Sequence, residues 1–333
     1  MTDLDALGWD AELAAAAAER PQARPGRVAR VDFGLVTVWT ADETVRAVPS
    51  AGSVATGDWV LVEPVEDEVH VTEILPRKSS FVRGASIEGR VTGAQVLAAN
   101  IDTVFVVHAL TNRPNLRRLE RELVLTYESG AMPVVVLTKA DLADDPDEVV
   151  AEYATVAPGI DIVVTSSTDG RGIDEIRAYA AGNRTIALIG ASGVGKSTLV
   201  NRLVGEDVQE TAAVREGDQR GRHTTTAREL VMLPGGGVLV DTPGLRAVSL
   251  WDAEEGFAQA FADVEAFAAQ CKFRDCAHET EPGCAVRAAV ERGDLDRGRF
   301  ENYLRLDGEL DAAVKRRDAR LGSKVVKKFY KGR

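Results

Sequence analysis

Hydrophobic positions follow two different patterns along the chain, and the change between them falls near residue 96. Between residues 27 and 76, short runs rich in β-branched and aromatic residues alternate with turn-forming Gly, Pro, Asp and Glu. Evenly spaced short strands of this kind are typical of a small β-barrel. The sequence therefore predicts a barrel within residues 27–84, with strands at 28–39, 45–48, 59–62 and 69–75.

The most plausible barrel of this size is an oligonucleotide-binding fold. Barrel strands alone do not establish RNA binding, because many such barrels bind only protein. The barrel is preceded by residues 1–26, which we assign to an N-terminal extension. Within it, Asp10 and an alanine run to Ala18 predict a short helix, which Pro21 and Pro25 end.

From about residue 96, apolar runs of strand length alternate with helical patterns, which indicates a mostly parallel α/β sheet. Strands are predicted at 101–107, 133–137, 160–164, 186–189 and 238–240, and a helix with leucines at helical spacing at 115–130. We assign residues 85–250 to this α/β domain. Residues 251–333, with helical runs at 257–269 and 300–314, form a separate C-terminal helical domain.

A glycine-rich loop follows the strand predicted at 186–189 and precedes a helix-forming run, which is the context of a phosphate-binding loop. Its sequence fits the pattern G-x-x-x-x-G-K-[ST]. In such loops backbone N–H groups surround phosphate oxygens at a helix N-terminus, while Lys196 would reach the terminal phosphates and Ser197 would hold Mg²⁺. The alternative is an ordinary glycine turn. The predicted nucleotide-binding residues are Gly190, Ala191, Ser192, Gly193, Val194, Gly195, Lys196, Ser197 and Thr198.

The strand predicted at 133–137 ends in Thr138-Lys139-Ala140-Asp141, which resembles the guanine-recognition motif Asn-Lys-x-Asp with Thr in place of Asn. The Asp141 carboxylate can accept the N1–H and N2–H₂ donors of guanine, a pair that adenine lacks. The Lys139 stem would lie along the base. Ser166 and Ser167 follow the next strand and resemble the loop that supports the base through backbone N–H groups. Taken alone, four residues at a strand end also fit a surface turn.

Two further elements resemble the switches of GTPases. Asp241-Thr-Pro-Gly244 ends a strand, and the Asp of such an element holds Mg²⁺ while its Gly contacts the γ-phosphate. Thr224 and Thr225 resemble the first switch, whose Thr closes on Mg²⁺; the sequence leaves open which of them does so. Because the base motif precedes the glycine loop, the expected domain is a circularly permuted GTPase.

The position at which GTPases carry a water-orienting Gln is occupied by Leu245, which cannot hydrogen-bond water. We therefore expect slow turnover by the isolated protein. His223, beside the switch threonines, is the candidate water-positioning residue. The predicted catalytic residues are His223 and Lys196. The alternative for His223 is a solvated loop histidine.

All three cysteines lie in one short window, as Cys-x₄-Cys-x-His-x₅-Cys. Three thiolates and one imidazole form the closed tetrahedral set of a structural zinc site. One alternative is a disulfide, which would leave the third cysteine unpaired. The other alternative is three unrelated cysteines in the core. The predicted ligands are Cys271, Cys276, His278 and Cys284.

Net charge limits the possible partners of the chain. At −12 for 333 residues, the charge does not suggest a general nucleic-acid binder, but residues 315–333 carry nine basic residues against one acidic residue. A smaller basic cluster, Arg77, Lys78 and Arg83, lies in the predicted linker after the barrel. No apolar run approaches a membrane span, and the acidic N-terminal residues argue against a secretion signal.

In combination, the barrel, the permuted GTPase motifs with Gly-Arg-His-Thr-Thr-Thr at 221–226, and the Cys/His pattern resemble the ribosome small-subunit-dependent GTPase family (RsgA/YjeQ). The resemblance covers residues 27 to about 320. It implies a cytoplasmic, monomeric GTPase that binds GTP or GDP, Mg²⁺ and one zinc, and that contacts the small ribosomal subunit and its rRNA without a membrane partner. Two other classes stay open: a stand-alone metabolic NTPase, and an RNA-binding scaffold with a structural nucleotide.

Overall fold

A computed structural model describes residues 3–87, 90–205, 229–241 and 253–330. The described residues fall into two compact units: one lies within Met1–Arg83, Ala94–Pro114 and Ser129–Val248, and the other within Gly84–Gly93, Asn115–Glu128 and Ser249–Arg333. Among the helices of the described ranges, none is long and apolar enough to cross a bilayer.

Five strands at the N-terminal end of the first unit close into a barrel, which confirms the predicted architecture. The strands are β1 (Arg24–Val31), β2 (Val36–Thr40), β3 (Thr44–Pro49), β4 (Trp59–Val65) and β5 (Glu68–Ile74). Strand β1 pairs with β2 and β4, β2 with β3, β3 in parallel with β5, and β5 with β4. Valines from these strands fill the interior.

The N-terminal extension is a folded part of the first unit. Helix α1 (Ala11–Ala17) lies where the alanine run predicts it, and the Asp10 carboxylate caps it by accepting the backbone N–H groups of Glu12 and Leu13, both at 3.0 Å. The Leu13 side chain is buried. The ring of Trp9 packs edge-on against Trp59 of the barrel, with 4.9 Å between ring centroids. The extension therefore covers one side of the barrel.

Arg27, on β1, is fully buried and joins three parts of this unit through its guanidinium. It donates to the carbonyl of Leu7, to the carbonyl of Asn100 at 3.0 Å and to the hydroxyl of Thr185 at 2.7 Å. Burial lowers the pKa of Arg27 to about 10, against the opposing charges of nearby carboxylates, so the group stays protonated at neutral pH. One buried cation thus connects the extension, the barrel and the α/β sheet.

Two of the three basic residues after the barrel are engaged in ion pairs, and the third, Arg83, donates to the side-chain oxygen of Gln95 at 2.9 Å. Arg77 makes a bidentate pair with the buried carboxylate of Asp58, at 2.6 and 2.7 Å, and Lys78 pairs with Asp10. These side chains therefore stabilise the fold locally. The chain then continues into β6 (Ser80–Ile87) and β7 (Arg90–Ala99), which form a two-stranded sheet that the sequence analysis did not predict.

The α/β part of the first unit contains the mostly parallel sheet that the sequence predicts. The strands are β8 (Thr103–Ala109), β9 (Met132–Thr138), β10 (Ile162–Val164), β11 (Thr185–Gly190), β12 (Glu229–Met232) and β13 (Val238–Asp241). The parallel strands lie in the order β10, β9, β8, β11, β13, and β12 adds to β13 in antiparallel orientation. Nearly all residues of β8, β9 and β11 are buried, as expected for strands covered on both faces. The helices of this part are α3 (Pro146–Ala154), α4 (Ile173–Ala178) and α5 (Lys196–Val204).

Besides Gly84–Gly93, from strands β6 and β7, the second unit consists of helices. They are α2 (Leu116–Glu128), α6 (Glu254–Ala260), α7 (Ala262–Ala268), α8 (Ala285–Arg292) and α9 (Arg297–Tyr330). Arg299 of α9 is buried between two carboxylates, donating to Glu120 of α2 at 2.8 Å and to Asp263 of α7 at 2.6 Å. Burial raises the pKa of Glu120 to about 7, against the opposing charge of Arg299. This ion network joins α2 to the C-terminal helices.

Replacing Arg27 with Met tests its connecting role. The variant leaves the carbonyls of Leu7 and Asn100 without their charged donor, at a cost of about 3 kcal/mol. We expect the thermal unfolding midpoint to fall by roughly 10 °C. The control is Arg24→Met on the same strand, where the guanidinium is partly exposed and pairs with Glu43. Equal midpoints for the two variants would contradict this role.

Candidate nucleotide site and metal centre

The predicted phosphate loop and base motif leave the sheet at the same edge. Strand β8 lies between β9 and β11 and is parallel to both, with Ala109 opposite Thr138 and Val107 opposite Gly190. The carboxyl ends of parallel strands form the usual ligand-binding edge of an α/β sheet. Two motifs separated by some fifty residues in the sequence are therefore brought together.

Backbone conformation explains the glycines of the phosphate loop. Gly190 has φ 142°, and a Cβ placed there would lie 2.3 Å from the carbonyl oxygen of Val107. Gly195 has φ 99° and immediately precedes the first residue of α5. The loop consequently ends at a helix N-terminus, where backbone N–H groups and the helix dipole favour an anion.

Lys196 is positioned over this loop. Its ammonium group donates to the carbonyls of Gly190, at 3.1 Å, and Ala191. Ser197 is half-buried in the first turn of α5, and Thr198 beside it is exposed. The structure thus places a cation and a hydroxyl beside the glycine loop. That they bind the terminal phosphates and Mg²⁺ stays a prediction.

The base motif is hydrogen-bonded to the phosphate loop. The Thr138 hydroxyl lies within hydrogen-bond reach of two carbonyl oxygens, those of Val194 and His108, the latter at 3.1 Å. Lys139, whose backbone has φ 61°, donates from its ammonium to the carbonyl of Gly193 at 2.8 Å. Thr138, although it replaces the usual Asn, therefore still links the two motifs.

Asp141 is exposed and carries hydrogen bonds that favour its ionised form. Hydrogen bonds from the hydroxyls of Ser166 and, with a smaller effect, Thr168 hold the pKa of this carboxyl below its usual value. The Thr168 oxygen lies 3.0 Å from Oδ2 of Asp141. Because the carboxylate is ionised at neutral pH, it can accept two N–H donors from a base.

The loop that contains Ser166 and Ser167 is also held in place. The Ser166 hydroxyl is buried and accepts the backbone N–H groups of Thr168, at 3.2 Å, and Asp169, at 3.3 Å. Arg202, on the helix that follows the phosphate loop, donates to the carbonyl of Ser167 at 2.7 Å. The sequence analysis missed Thr168 and Arg202. Thr168 directly follows the predicted site residue Ser167, whereas no local pattern marks Arg202.

The remaining predicted residues of this site are described in part or not at all. Asp241 ends β13, which lies beside β11 in parallel, so its backbone is at the same edge of the sheet. His223, Thr224, Thr225, Gly244 and Leu245 lie outside the described residues. Their roles stay predictions.

The second unit brings the predicted zinc ligands together. The ligand atoms of Cys271, Cys276, His278 and Cys284 all lie within 4.8 Å of one another. Nδ1 of His278 is 3.4 Å from the Cys284 sulfur and 3.6 Å from that of Cys271. Four such donors at these separations fit a tetrahedral zinc ion.

Backbone N–H groups contact two sulfurs of the cluster and lower the pKa of Cys271, whereas burial raises the pKa of Cys276 to about 11. The Cys271 sulfur accepts the N–H of Ala285 at 3.3 Å, and the Cys284 sulfur caps α8 by accepting the N–H of Arg287 at 3.5 Å. Burial raises the pKa of Cys271, but backbone donors, first Val286 and then Ala285, outweigh it and give a net lowering. Because zinc binds the thiolate, these donors suit a metal centre better than a set of neutral core cysteines.

Comparisons with known proteins identify the family of this chain. The profile of the RsgA GTPase family matches residues 74–251. The chain is 47% identical over 330 residues to the small ribosomal subunit biogenesis GTPase RsgA of Streptomyces avermitilis, covering 96% of this chain and 88% of that protein. Both the sequence identity and the coverage are higher than a shared fold alone would give.

Two solved structures have the same fold. The crystal structure of YjeQ from Thermotoga maritima is 28% identical with a TM-score of 0.64, covering 86% of this chain and 98% of that one. YloQ, described as a circularly permuted GTPase, is 23% identical with a TM-score of 0.62, covering 88% and 96%. The permuted motif order, the barrel and the Cys/His cluster are thus explained together: this chain belongs to the RsgA GTPase family.

Proposed function

We propose that this protein hydrolyses GTP to GDP and phosphate when bound to the small ribosomal subunit, during late maturation of that subunit in the cytoplasm. The observation that carries the proposal is the direct bonding of the base motif to the phosphate loop through Thr138 and Lys139. The names of its relatives, small ribosomal subunit biogenesis GTPases, support the choice of partner.

Guanine selectivity rests on Asp141 in this proposal. Its ionised carboxylate accepts the paired donors of guanine, while the Lys139 stem lies along the base. Lys196 and the N–H groups of the glycine loop bind the phosphates. Ser197 and Asp241, with Thr224 or Thr225, would hold Mg²⁺, which neutralises charge that develops on the phosphates.

Catalysis in this proposal depends on the switch segments. Leu245 cannot orient the attacking water, so the isolated protein is slow even with a complete phosphate site. His223 would position the water when the protein is bound to the subunit. The Asp-x-x-Gly segment leads along the chain to the zinc ligands, so contact at the C-terminal helices could bias the switches, and nucleotide could bias that contact in return.

Turnover with and without isolated small subunits tests the proposal. We expect strong stimulation of GTP hydrolysis by the subunits. A fast rate with the protein alone would instead support a metabolic NTPase. Absence of hydrolysis under both conditions would support a scaffold with a structural nucleotide.

The same assay with His223→Ala tests the catalytic role of the histidine. The stimulated rate should fall more than tenfold, a barrier increase of about 1.4 kcal/mol, while subunit binding in the GTP form persists. His70→Ala is the matched control, because His70 lies in the barrel and contacts Ser50. Full stimulated turnover by His223→Ala would exclude it as the water-positioning group.

For the metal centre we propose one structural zinc held by Cys271, Cys276, His278 and Cys284. Purified protein should contain close to one zinc per chain, and Cys284→Ser should lose most of it, because a three-ligand site is incomplete. Zinc content by mass spectrometry and thermal unfolding of the same samples provide the measurements, with His70→Ala as control. If metal removal leaves the unfolding profile unchanged, the zinc is not structural.

A further inference from the structure

The carboxylate that would recognise guanine is on an exposed side chain, so its orientation needs to be fixed by neighbouring groups. A free aspartate samples several rotamers, and fixing one of them costs conformational entropy. Recognition of guanine requires both carboxylate oxygens to face two parallel N–H donors at once. A donor that holds one oxygen beforehand reduces this cost when the base binds.

Thr168 supplies such a donor, in addition to the Ser166 hydroxyl that also bonds this carboxyl. Its hydroxyl lies 3.0 Å from Oδ2 of Asp141 and donates to it. A carboxylate oxygen has two lone-pair sites, so Oδ2 can keep this hydrogen bond and still accept an N–H from the base. Thr168 is exposed and its hydroxyl is not needed to fill the core.

The turn that carries Thr168 is itself held from two sides. The buried Ser166 hydroxyl accepts the Thr168 backbone N–H at 3.2 Å, and the N–H of Gly170 donates to the Ser166 carbonyl at 3.0 Å. Arg202 donates to the carbonyl of Ser167 at 2.7 Å. Because Arg202 is on the helix that starts at the phosphate loop, this contact fixes the turn relative to the phosphate-binding end of the site.

We propose that Thr168 is a positioning residue for guanine specificity, whose hydroxyl orients the Asp141 carboxylate toward the N1–H and N2–H₂ groups of the base. The inference rests on the proposed function, since it assumes a guanine nucleotide at this site. Thr168 acts through Asp141 and has no role in the transfer of the phosphoryl group.

Calorimetric titration of the full chain with GDP, with ADP and with inosine diphosphate, which lacks the 2-amino group, tests this role. Thr168→Val removes the hydroxyl and keeps the shape, and it should weaken GDP binding by about tenfold. Binding of inosine diphosphate should weaken less, because only one donor of the base needs the oriented carboxylate. The preference for GDP over inosine diphosphate therefore shrinks. Thr168→Ser, which restores a hydroxyl, should regain most of that preference.

The control is Thr155→Val, which removes a hydroxyl that bonds the Glu152 carbonyl of its own helix end. All variants should unfold at the parental temperature. If Thr168→Val keeps the parental preference for GDP over inosine diphosphate, the inference is wrong while the proposed function stands. If the parental protein itself binds GDP no better than ADP, the proposed function fails and the role of Thr168 fails with it.

Discussion

The nucleotide site depends on one constraint, the parallel pairing of β8 with both β9 and β11. This pairing brings the ends of β9 and β11 to one edge of the sheet, where the Thr138 hydroxyl and the Lys139 ammonium can reach the carbonyls of the phosphate loop. The base motif and the phosphate loop are thereby parts of one hydrogen-bonded structure. Strand pairing fixes the distance between the two loops, and the side-chain contacts then fix their orientation.

Spatial order in the sheet, and not order in the chain, determines whether the motifs meet. The base motif precedes the phosphate loop in the chain. The two motifs nevertheless lie at one edge of the sheet, because β9 and β11 both neighbour β8 and run in the same direction. Helix α2, which follows β8 in the chain, packs in the unit of the C-terminal helices through the buried Glu120–Arg299 pair. Removing Arg299 would leave the buried Glu120 without its charged partner, so this pair helps to hold α2 within that unit.

Local patterns made much of the fold and site predictable. Strand periodicity marked the barrel, the glycine loop has a fixed spacing, and the three cysteines and His278 lie in one short window. Features that depend on tertiary packing were not predictable: in the sequence Arg27 looks like any polar position on a barrel strand, and nothing near Arg202 indicates its contact with the loop of Ser167. The strands β6 and β7 were missed because each is interrupted by a glycine, Gly84 and Gly93, which weakens a strand pattern. The strand β12 was missed because it has only four residues. The domain boundaries and the roles of His223, Thr224, Thr225 and Gly244 stay predictions.

The central claim is that residues 138–141 and 190–197 form a single guanine-nucleotide site in which Asp141 reads the base. Asp141→Asn tests it most directly, since the amide replaces one acceptor of the side chain with a donor. Titration with GDP and with xanthosine diphosphate, whose base has an acceptor in place of the 2-amino group, should show weaker binding of GDP and stronger binding of xanthosine diphosphate by the variant than by the parental protein. Unchanged affinities for both nucleotides would contradict the account.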